Sequence, residues 1–262
     1  MKKMLSVLFA SVLALGMTAV SASAAESAGD WEYVQNKGKL TIGITIYEPI
    51  NYYDANGTLV GFDTEYAQAV CEKLGVEPEF VEINWDTKEI ELNAKNIDCI
   101  WNGMTITEER KENMTFSEPY VKNMQVVVVR SANAAKYSDE ASLSGKAAAC
   151  ESGSAGEDAA RSLKDVTVIP VGKQTDALLE VKAGTSDFAV LDYTLAKAMI
   201  GEGTDYASLQ IADGLELSVE EYGIGFRKGS DLAEKVNEAT AILSGDGTMA
   251  ALAEKYGVAL AK

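Results

Sequence analysis

Residues 97–120 read IDCIWNGMTITEERKENMTFSEPY, and the rest of the chain is organised around them. The apolar run from Ile97 to Trp101 is long enough for one buried strand. The flexible pair Asn102-Gly103 follows, and the chain then enters a charged helix that carries Arg110. Such a segment can bring backbone groups, a hydroxyl and a guanidinium to one point, where planar paired donors suit a small carboxylate. A strand, a turn and a capped surface helix would give the same pattern, so both interpretations stay open.

The first 24 residues have the features of a secretory signal peptide. Lys2 and Lys3 precede an apolar run from Met4 to Val20, and Ala22-Ser23-Ala24 supplies the small residues of a cleavage site. No cysteine lies near that site, so a lipid anchor on an N-terminal cysteine is not expected. The sequence therefore predicts a signal peptide at residues 1–24 and an exported protein, soluble in the periplasm or outside the cell.

The charge balance bears on the partners of the chain. It has 23 basic and 40 acidic residues, a formal charge of −17, and without Lys2 and Lys3 the balance becomes 21 to 40, or −19. So acidic a surface argues against nucleic acid or an anionic membrane as a partner. It does not constrain a small ligand, whose site can differ in sign from the surface.

Histidine is absent, and the three cysteines show no metal-ligand spacing. The absence removes every His-dependent catalytic triad and every His metal site. We therefore predict no metal and no cofactor. Of Cys71, Cys99 and Cys150, at least one is predicted to be a small buried side chain. A disulfide, with Cys71 and Cys99 as the preferred pair, stays an alternative.

Strand and helix patterns alternate along the first part of the chain. Residues 38–44 and 78–83 favour strands, and Asp54-Ala55-Asn56-Gly57 is typical of a hairpin turn. This alternation predicts an α/β sheet whose loops and helix starts gather along one edge, where such sheets bind ligands.

Two helices of this unit carry specific expectations. The first has Asp63 as its predicted N-cap and ends at Gly75. The second follows Asn84-Trp85-Asp86 and is predicted to direct Ile90 and Leu92 inward.

A second unit begins near the strand-forming run from Gln125 to Arg130. Its Gly/Ser loop, residues 151–156, opens a helix near Glu157, and the exposed N–H groups of a helix start can bind an anion. A plain capped turn would explain that loop equally well, and it matches no phosphate-binding motif. The apolar run 187–192 ends in Asp192, which could accept from an ammonium group or cap the next helix.

The two units are joined by strands at about residues 125–129 and 219–225. Two such connections indicate lobes hinged around a cleft, and a cleft of this kind can close on a ligand.

At this point the chain resembles the family of solute-binding proteins of ABC importers that take up polar amino acids. The resemblance covers nearly the whole chain after residue 24. It implies an α/β fold of two lobes, the type II periplasmic-binding-protein or Venus-flytrap fold, with the lobes joined by two hinge strands. Lobe 1 is expected at 30–125 plus 223–262 and lobe 2 at 126–222. The segments that carry the resemblance are Leu40-Thr41-Ile42-Gly43, Gly61-Phe62-Asp63, Ile97-Asp98 through Gly103-Met104-Thr105-Ile106-Thr107-Glu108-Glu109-Arg110, Phe116-Ser117-Glu118-Pro119-Tyr120, Gly153-Ser154, Asp187 to Asp192, Tyr222-Gly223-Ile224 and Gly245-Asp246-Gly247-Thr248.

The resemblance also implies a site for both ends of an amino acid. Arg110 and Thr105 fall where the family binds the α-carboxylate, and Ser154 with the N–H of Ala155 falls where further donors reach it. The Gly103 carbonyl and Asp192 fall where the α-ammonium is bound, and two aromatic residues fall where rings enclose the side chain. The implied ligand-binding set is Tyr47, Trp85, Asn102, Gly103, Met104, Thr105, Arg110, Ser154, Ala155 and Asp192, with no catalytic residue.

The chain departs from the family pattern at two positions. Thr45 stands where some members carry an acid for a cationic side chain, unless that position is lost to a shorter loop, and Ala155 lacks a hydroxyl often found there. Both departures leave side-chain specificity open. Glu48 or Glu151 could serve a cationic ligand, and both are expected to be solvent-exposed.

The predicted function is therefore that of a monomeric extracytoplasmic binding protein, not an enzyme. It would capture a polar L-amino acid and deliver it to the membrane permease of an ABC importer. An enzyme on the same scaffold, such as a periplasmic dehydratase, is an alternative, since a carboxylate such as Glu151 could do acid–base work. A ligand-sensing module is a third class, which would usually need a membrane anchor or a fused domain.

Overall fold

The coordinates, a computed structural model, describe residues 29–261. The predicted signal peptide lies outside the described residues. Within residues 29–261 no helix is both long enough and apolar enough to span a bilayer.

Short strands and helices alternate along the chain. The strands are β1 (Lys39–Ile44), β2 (Tyr52–Tyr53), β3 (Leu59–Val60), β4 (Glu77–Glu82), β5 (Cys99–Ile100), β6 (Met114–Phe116), β7 (Val121–Arg130), β8 (Ala147–Glu151), β9 (Thr167–Val171), β10 (Phe188–Asp192), β11 (Leu209–Tyr222), β12 (Gly225–Arg227) and β13 (Ala259–Leu260). The helices are α1 (Asp30–Lys37), α2 (Phe62–Leu74), α3 (Lys88–Asn93), α4 (Glu108–Asn113), α5 (Ala155–Ser162), α6 (Gln174–Ala183), α7 (Tyr193–Met199), α8 (Leu232–Gly245) and α9 (Thr248–Tyr256).

The first sheet has the strand order β4-β1-β5-β12-β6. Its β1 pairs in parallel with β4 and β5, and five of its six residues are buried. Near-continuous burial of this kind is typical of parallel strands covered on both faces. Because β1 and β5 run in the same direction, the loops that follow them meet at one edge of the sheet. That edge carries Thr45 and Asn102.

The second sheet has the order β11-β7-β10-β8-β9, and β13 pairs with the start of β7. Here β8, β9 and β10 are parallel, whereas β7 runs antiparallel to β10 and β11. The parallel strands β8 and β10 end in Glu151 and Asp192. Both carboxylates therefore lie at the edge of this sheet that faces the first one.

The chain passes between the sheets three times, from β6 into β7, from β11 back into β12, and at its end from α9 into β13. The start of β7 pairs with the end of β11, from Val121 opposite Tyr222 to Gln125 opposite Ser218. This arrangement confirms the predicted α/β fold of two lobes. The predicted limits of lobe 1 (30–125 plus 223–262) and lobe 2 (126–222) stay a prediction.

An aromatic cluster supports the site edge of the first sheet. The rings of Tyr66 and Trp101 meet edge to face at 4.8 Å, and Phe62 and Tyr120 stack at 6.2 Å. All four side chains are nearly or fully buried. Aromatic pairs in these geometries contribute to stability beyond their buried area, so the cluster stabilises the part of the first lobe that carries the Asn102-Gly103 loop.

Two local expectations turn out differently, and a third, that at least one cysteine is a small buried side chain, is confirmed. The N-cap of α2 is Gly61, and Asp63, predicted to cap this helix, lies in its first turn with a fully buried side chain. Leu92 is buried, but Ile90 is 67% exposed, because residues two apart point to nearly opposite sides of a helix. All three cysteines are buried free thiols, so the alternative disulfide is absent from the described residues 29–261.

Candidate functional site

Asn102 locks two loops of the first lobe together. Its Oδ1 accepts from the backbone N–H of Thr45 at 3.0 Å and from the Thr45 hydroxyl at 2.6 Å, while its Nδ2 donates to the Thr45 carbonyl at 2.8 Å. These bonds use most of the hydrogen-bonding capacity of the two side chains. Both residues line the cleft, and their hydrogen bonds hold the ends of β1 and β5 in register.

Both the backbone conformation and the space around its Cα require glycine at position 103. Its φ is 56°, and an added Cβ would lie 2.1 Å from Tyr47 Oη. Its N–H donates to Asp63 Oδ2 at 2.7 Å, and Tyr120 Oη donates to the same oxygen at 2.8 Å. Asp63 thus orients this loop, and burial raises the pKa of its carboxyl to about 7. The Gly103 carbonyl accepts no hydrogen bond from any residue between 29 and 261 and is free to bind a ligand donor.

Arg110 lies in the first turn of α4, a helix capped by Thr107, whose Oγ1 accepts from the Arg110 N–H. The side chain is 7% exposed, and its guanidinium donates to the carbonyls of Thr105 at 2.9 Å and Gly153 at 3.2 Å. Burial lowers the pKa of Arg110, but a guanidinium stays charged in proteins. No ion pair forms between Arg110 and any described carboxylate. A buried cation held only by carbonyls is well suited to an incoming carboxylate.

The second lobe presents the start of α5 to the same cleft. Ser154 is the N-cap, and its Oγ accepts from the Glu157 N–H at 3.1 Å, which leaves the hydroxyl hydrogen to donate elsewhere. The N–H of Ala155 belongs to the first turn, where backbone donors lack a partner within the helix. The helix dipole places partial positive charge at this end, so the loop favours an anion.

Asp192 is a buried carboxylate surrounded by donors. Its Oδ1 accepts from Asn123 at 2.6 Å, from Gln125 at 2.9 Å and from Tyr222 Oη at 2.9 Å. Its Oδ2 accepts only from Gln174 Nε2 and so has a lone pair available for an ammonium. Burial raises the pKa of Asp192. The Asp192 side chain makes no capping hydrogen bond to α7. The alternative prediction, that this side chain caps the helix, is therefore wrong.

A hydrogen-bond chain links the aromatic residue of the first lobe to this carboxylate. Tyr47 Oη lies 3.1 Å from Tyr222 Oη, which donates to Asp192. Tyr47 and Trp85 are 5% and 6% exposed, and both line the cleft. Their rings supply apolar walls next to the charged groups, where a low dielectric strengthens charge interactions.

Several polar residues of the site escaped the sequence analysis. Glu220 Oε1 accepts from Thr105 at 2.9 Å, from Asn123 at 2.6 Å and from Gln125 at 2.8 Å, which ties the hinge strands to the first lobe. Burial and the nearby charge of Asp192 raise the pKa of Glu220 to about 7. A signal was present in the sequence. Asn123 and Gln125 alternate in a run otherwise rich in valine, which places both on one face of β7.

The cleft between the lobes is nearly filled by protein atoms. The cavity that remains has a volume of about 10 Å³, roughly the room of one water molecule. An amino acid can enter only if the lobes separate or side chains withdraw. The residues that line it are Thr45, Tyr47, Trp85, Asn102, Gly103, Thr105, Arg110, Glu151, Ser154, Ala155, Gln174 and Asp192.

The structure thus brings together nine of the ten predicted site residues. Met104 is the exception, since its fully buried side chain packs with Ile100 and Met114, and its carbonyl accepts from the Gly223 N–H at 2.9 Å. Glu48 is exposed as expected, but the expectation that Glu151 is solvent-exposed was wrong, because Glu151 is only 4% exposed. It lies at the buried end of β8, which pairs with strands on both sides.

Two lobes that face a cleft with a guanidinium on one side and a carboxylate on the other define the class of two-lobed solute-binding proteins. The chain belongs to the bacterial extracellular solute-binding proteins of family 3, whose family model matches residues 40–259. This confirms the predicted family and the type II periplasmic-binding-protein fold.

Individual relatives agree with this membership. The chain is 30% identical to the L-cystine-binding protein TcyJ of Escherichia coli over 226 residues, which is 85% of this chain and 84% of that protein. It is 32% identical to the L-arginine-binding protein of Pseudomonas aeruginosa over 225 residues, 82% and 86% of the two chains. The crystal structure of the P235GK mutant of ArgBP from T. maritima superimposes with a TM-score of 0.81 at 35% identity, covering 87% of this chain and 98% of that one.

Proposed function

We propose that this protein is an extracytoplasmic receptor that captures a polar L-amino acid between its lobes and delivers it to the permease of an ABC importer. The relatives named above are binding proteins, and this chain is proposed to bind its ligand without turning it over. The observation that carries the proposal is Arg110, a buried guanidinium that shares the cleft with Asp192.

The two ends of a zwitterion fit these two groups. The carboxylate would take the guanidinium of Arg110 and the free donors of Ser154 and Ala155. The ammonium would take the open lone pair of Asp192 Oδ2 and the Gly103 carbonyl. Because Arg110 and Asp192 belong to different lobes, only the closed form satisfies both ends, and closure is thereby coupled to binding.

The lobes already meet at the carboxylate end of this site. Arg110 donates to the Gly153 carbonyl, and Lys88 Nζ donates to the same oxygen at 2.9 Å. A bound carboxylate would replace that carbonyl as a partner of Arg110 with a full negative charge, which makes a stronger hydrogen bond.

Calorimetric titration with the twenty amino acids tests the proposal. Arg110→Ala should weaken the best ligand by about 2–5 kcal/mol, a loss of about 30-fold or more in Kd, because a buried charge loses its partner. Arg110→Lys keeps the charge but loses the paired donors, so its affinity for the ligand should lie between those of the wild type and Arg110→Ala. Lys111→Ala changes the next residue of the same helix, whose side chain is exposed, and should bind like the wild type.

Unchanged affinity in Arg110→Ala would contradict the assignment of the carboxylate. The alternative of an enzyme is favoured by one observation, the buried carboxyl of Glu151 in the cleft, which could serve as a general acid. Chromatography of the ligand after long incubation with the protein separates the two functions, since a receptor returns it unchanged. Uptake of labelled ligand by cells with and without this gene tests delivery to a permease.

A further inference from the structure

Glu151 is a buried acid in the cleft that the binding of an amino-acid backbone leaves unused. Its side chain is 4% exposed and lines the cavity at the end of β8. Asp192, the other acid of the cavity, accepts hydrogen bonds from four side chains. The Glu151 carboxylate accepts none from residues 29–261 and forms no ion pair with Arg110. A buried carboxylate without a partner is costly, so Glu151 ionises readily only when a cation from outside the chain lies next to it.

The charges that line the cavity are unequal in number. Arg110 provides one positive charge, and Asp192 and Glu151 provide two negative charges when both carboxyls are ionised. An amino-acid backbone brings one carboxylate, which pairs with Arg110, and one ammonium, which pairs with Asp192. The charge of Glu151 then has no partner in the ligand backbone. A ligand with one further positive charge would balance the site.

The neighbouring cations of the protein do not fill this role. Lys88 lies nearby, but its ammonium donates to the carbonyls of Trp85 at 3.1 Å and Gly153 at 2.9 Å and lies 4.9 Å from the Trp85 ring centre. Lys88 forms no ion pair within the described part of the chain, and burial lowers the pKa of its ammonium to about 8. Lys173 and Asp176 at the start of α6 form no ion pair or hydrogen bond with the Glu151 carboxyl. Their charges shift its pKa in opposite directions.

We propose that Glu151 binds the cationic end of the ligand's side chain, so that this receptor selects amino acids with a guanidinium or ammonium group. The inference rests on the proposed function and adds the residue that determines specificity. Tyr47 and Trp85, the aromatic walls of the cavity, favour a cation that passes between them, because aromatic faces attract positive charge.

Binding of a cation should be accompanied by loss of a proton. Burial and the charge of Asp192 raise the pKa of Glu151 to about 8, so the carboxyl is mostly protonated at pH 7 before the ligand enters. A cation next to it favours the carboxylate and lowers that pKa again. A neutral side chain has no such effect on Glu151, so the additional proton that a cationic ligand releases reports contact between Glu151 and a positive charge.

L-Arginine and L-citrulline provide a matched pair of ligands, because they have nearly the same shape and differ in charge. Calorimetry at pH 7 in buffers of different ionisation enthalpy should show that arginine releases more protons than citrulline. Glu151→Gln should weaken arginine by about 30-fold or more and citrulline by less than about tenfold, and it should abolish this difference in proton release. Glu48→Gln removes an exposed carboxylate from the neighbouring loop of the first lobe and should leave both affinities unchanged.

Two outcomes would overturn the inference and leave the proposed function intact. One is a wild-type protein that binds a neutral amino acid, such as cystine or glutamine, at least as tightly as arginine or lysine. The other is an arginine-to-citrulline affinity ratio that Glu151→Gln does not change, which would mean that Glu151 does not contact the side chain of the ligand. If no amino acid binds the wild type, the proposed function itself fails. Retained citrulline binding shows that the variant has folded.

Discussion

At the scale of single residues, the geometry of the site depends on a position that has no room for a side chain. Gly103 lies between the Tyr47 hydroxyl and the Asp63 carboxylate, and its backbone is in the left-handed region. A side chain there would push Tyr47 away and break its hydrogen bond to Tyr222. The wall of the cleft and the orientation of the Gly103 carbonyl would then change together.

Gly103→Ala should therefore reduce ligand affinity by at least about tenfold, because a methyl group 2.1 Å from Tyr47 Oη forces the loop to move. Gly57→Ala is the matched control. Gly57 also has a positive φ, 77°, but an added Cβ meets nothing within 4 Å. Both variants should lose about 1 kcal/mol of stability from backbone strain, and only Gly103→Ala should lose affinity. Wild-type affinity in Gly103→Ala would show that the loop tolerates a shift.

At the scale of elements, Asp98 joins three segments of the first lobe. Its carboxylate is 1% exposed and accepts from Lys37 at the end of α1 and from the Thr41 N–H of β1 at 2.8 Å. Its other oxygen lies 3.5 Å from the guanidinium of Arg227 in β12. The segment that leads from this carboxylate into β5 is the one that carries Asn102 and Gly103, so the anchor also positions the site.

Asp98→Ala should lower the free energy of unfolding by about 3–5 kcal/mol, because Lys37 loses the buried partner of its charge and Arg227 keeps only Asp30. Urea denaturation measures the change. Glu79→Gln serves as the control, since the pair of Glu79 with Lys39 is about 40% exposed on both sides, where water screens the attraction, and its loss should change the free energy of unfolding far less. Equal effects of the two substitutions would show that burial of Asp98 does not determine its contribution.

At the scale of the whole molecule, carboxyl groups with raised pKa values surround the interface between the lobes. Asp63 and Glu151 have pKa values of about 7 and 8, and those of Asp192 and Glu220 are also raised. Ordinary carboxyls titrate near 4. Between pH 4 and pH 8 the folded protein consequently binds more protons than the unfolded chain. Its stability must then fall as the pH rises through this range.

The ligand-free protein should be more stable at pH 6 than at pH 8 by about 2–4 kcal/mol, the order expected from Asp63 and Glu151 alone. Urea denaturation at the two pH values measures this difference. Glu151→Gln should make the dependence smaller, because its amide does not titrate. A stability that stays constant or rises between pH 6 and pH 8 would contradict the raised pKa values.

Much of the fold and half of the site follow from local patterns. The apolar runs around Ile42, Ile100 and Val190 predict strands, and the residues that follow such strands predict where loops gather. Gly103, Arg110, Ser154 and Asp192 stand directly after strands or at helix starts. For such residues the chemistry and the position are both visible in the sequence.

Tertiary structure decided the rest, because burial and pairing join residues that are far apart in the chain. Asn102 bonds Thr45 across 57 positions, and Lys88 bonds Gly153 across 65. The predicted exposure of Glu151 failed for this reason, since the charge of a side chain says that burial is costly and not whether the other lobe covers it. The segment 97–120 alone indicates a place for a carboxylate. Only the approach of the second lobe adds Asp192, Gln174 and Glu151 and thereby sets the charge that a ligand must bring.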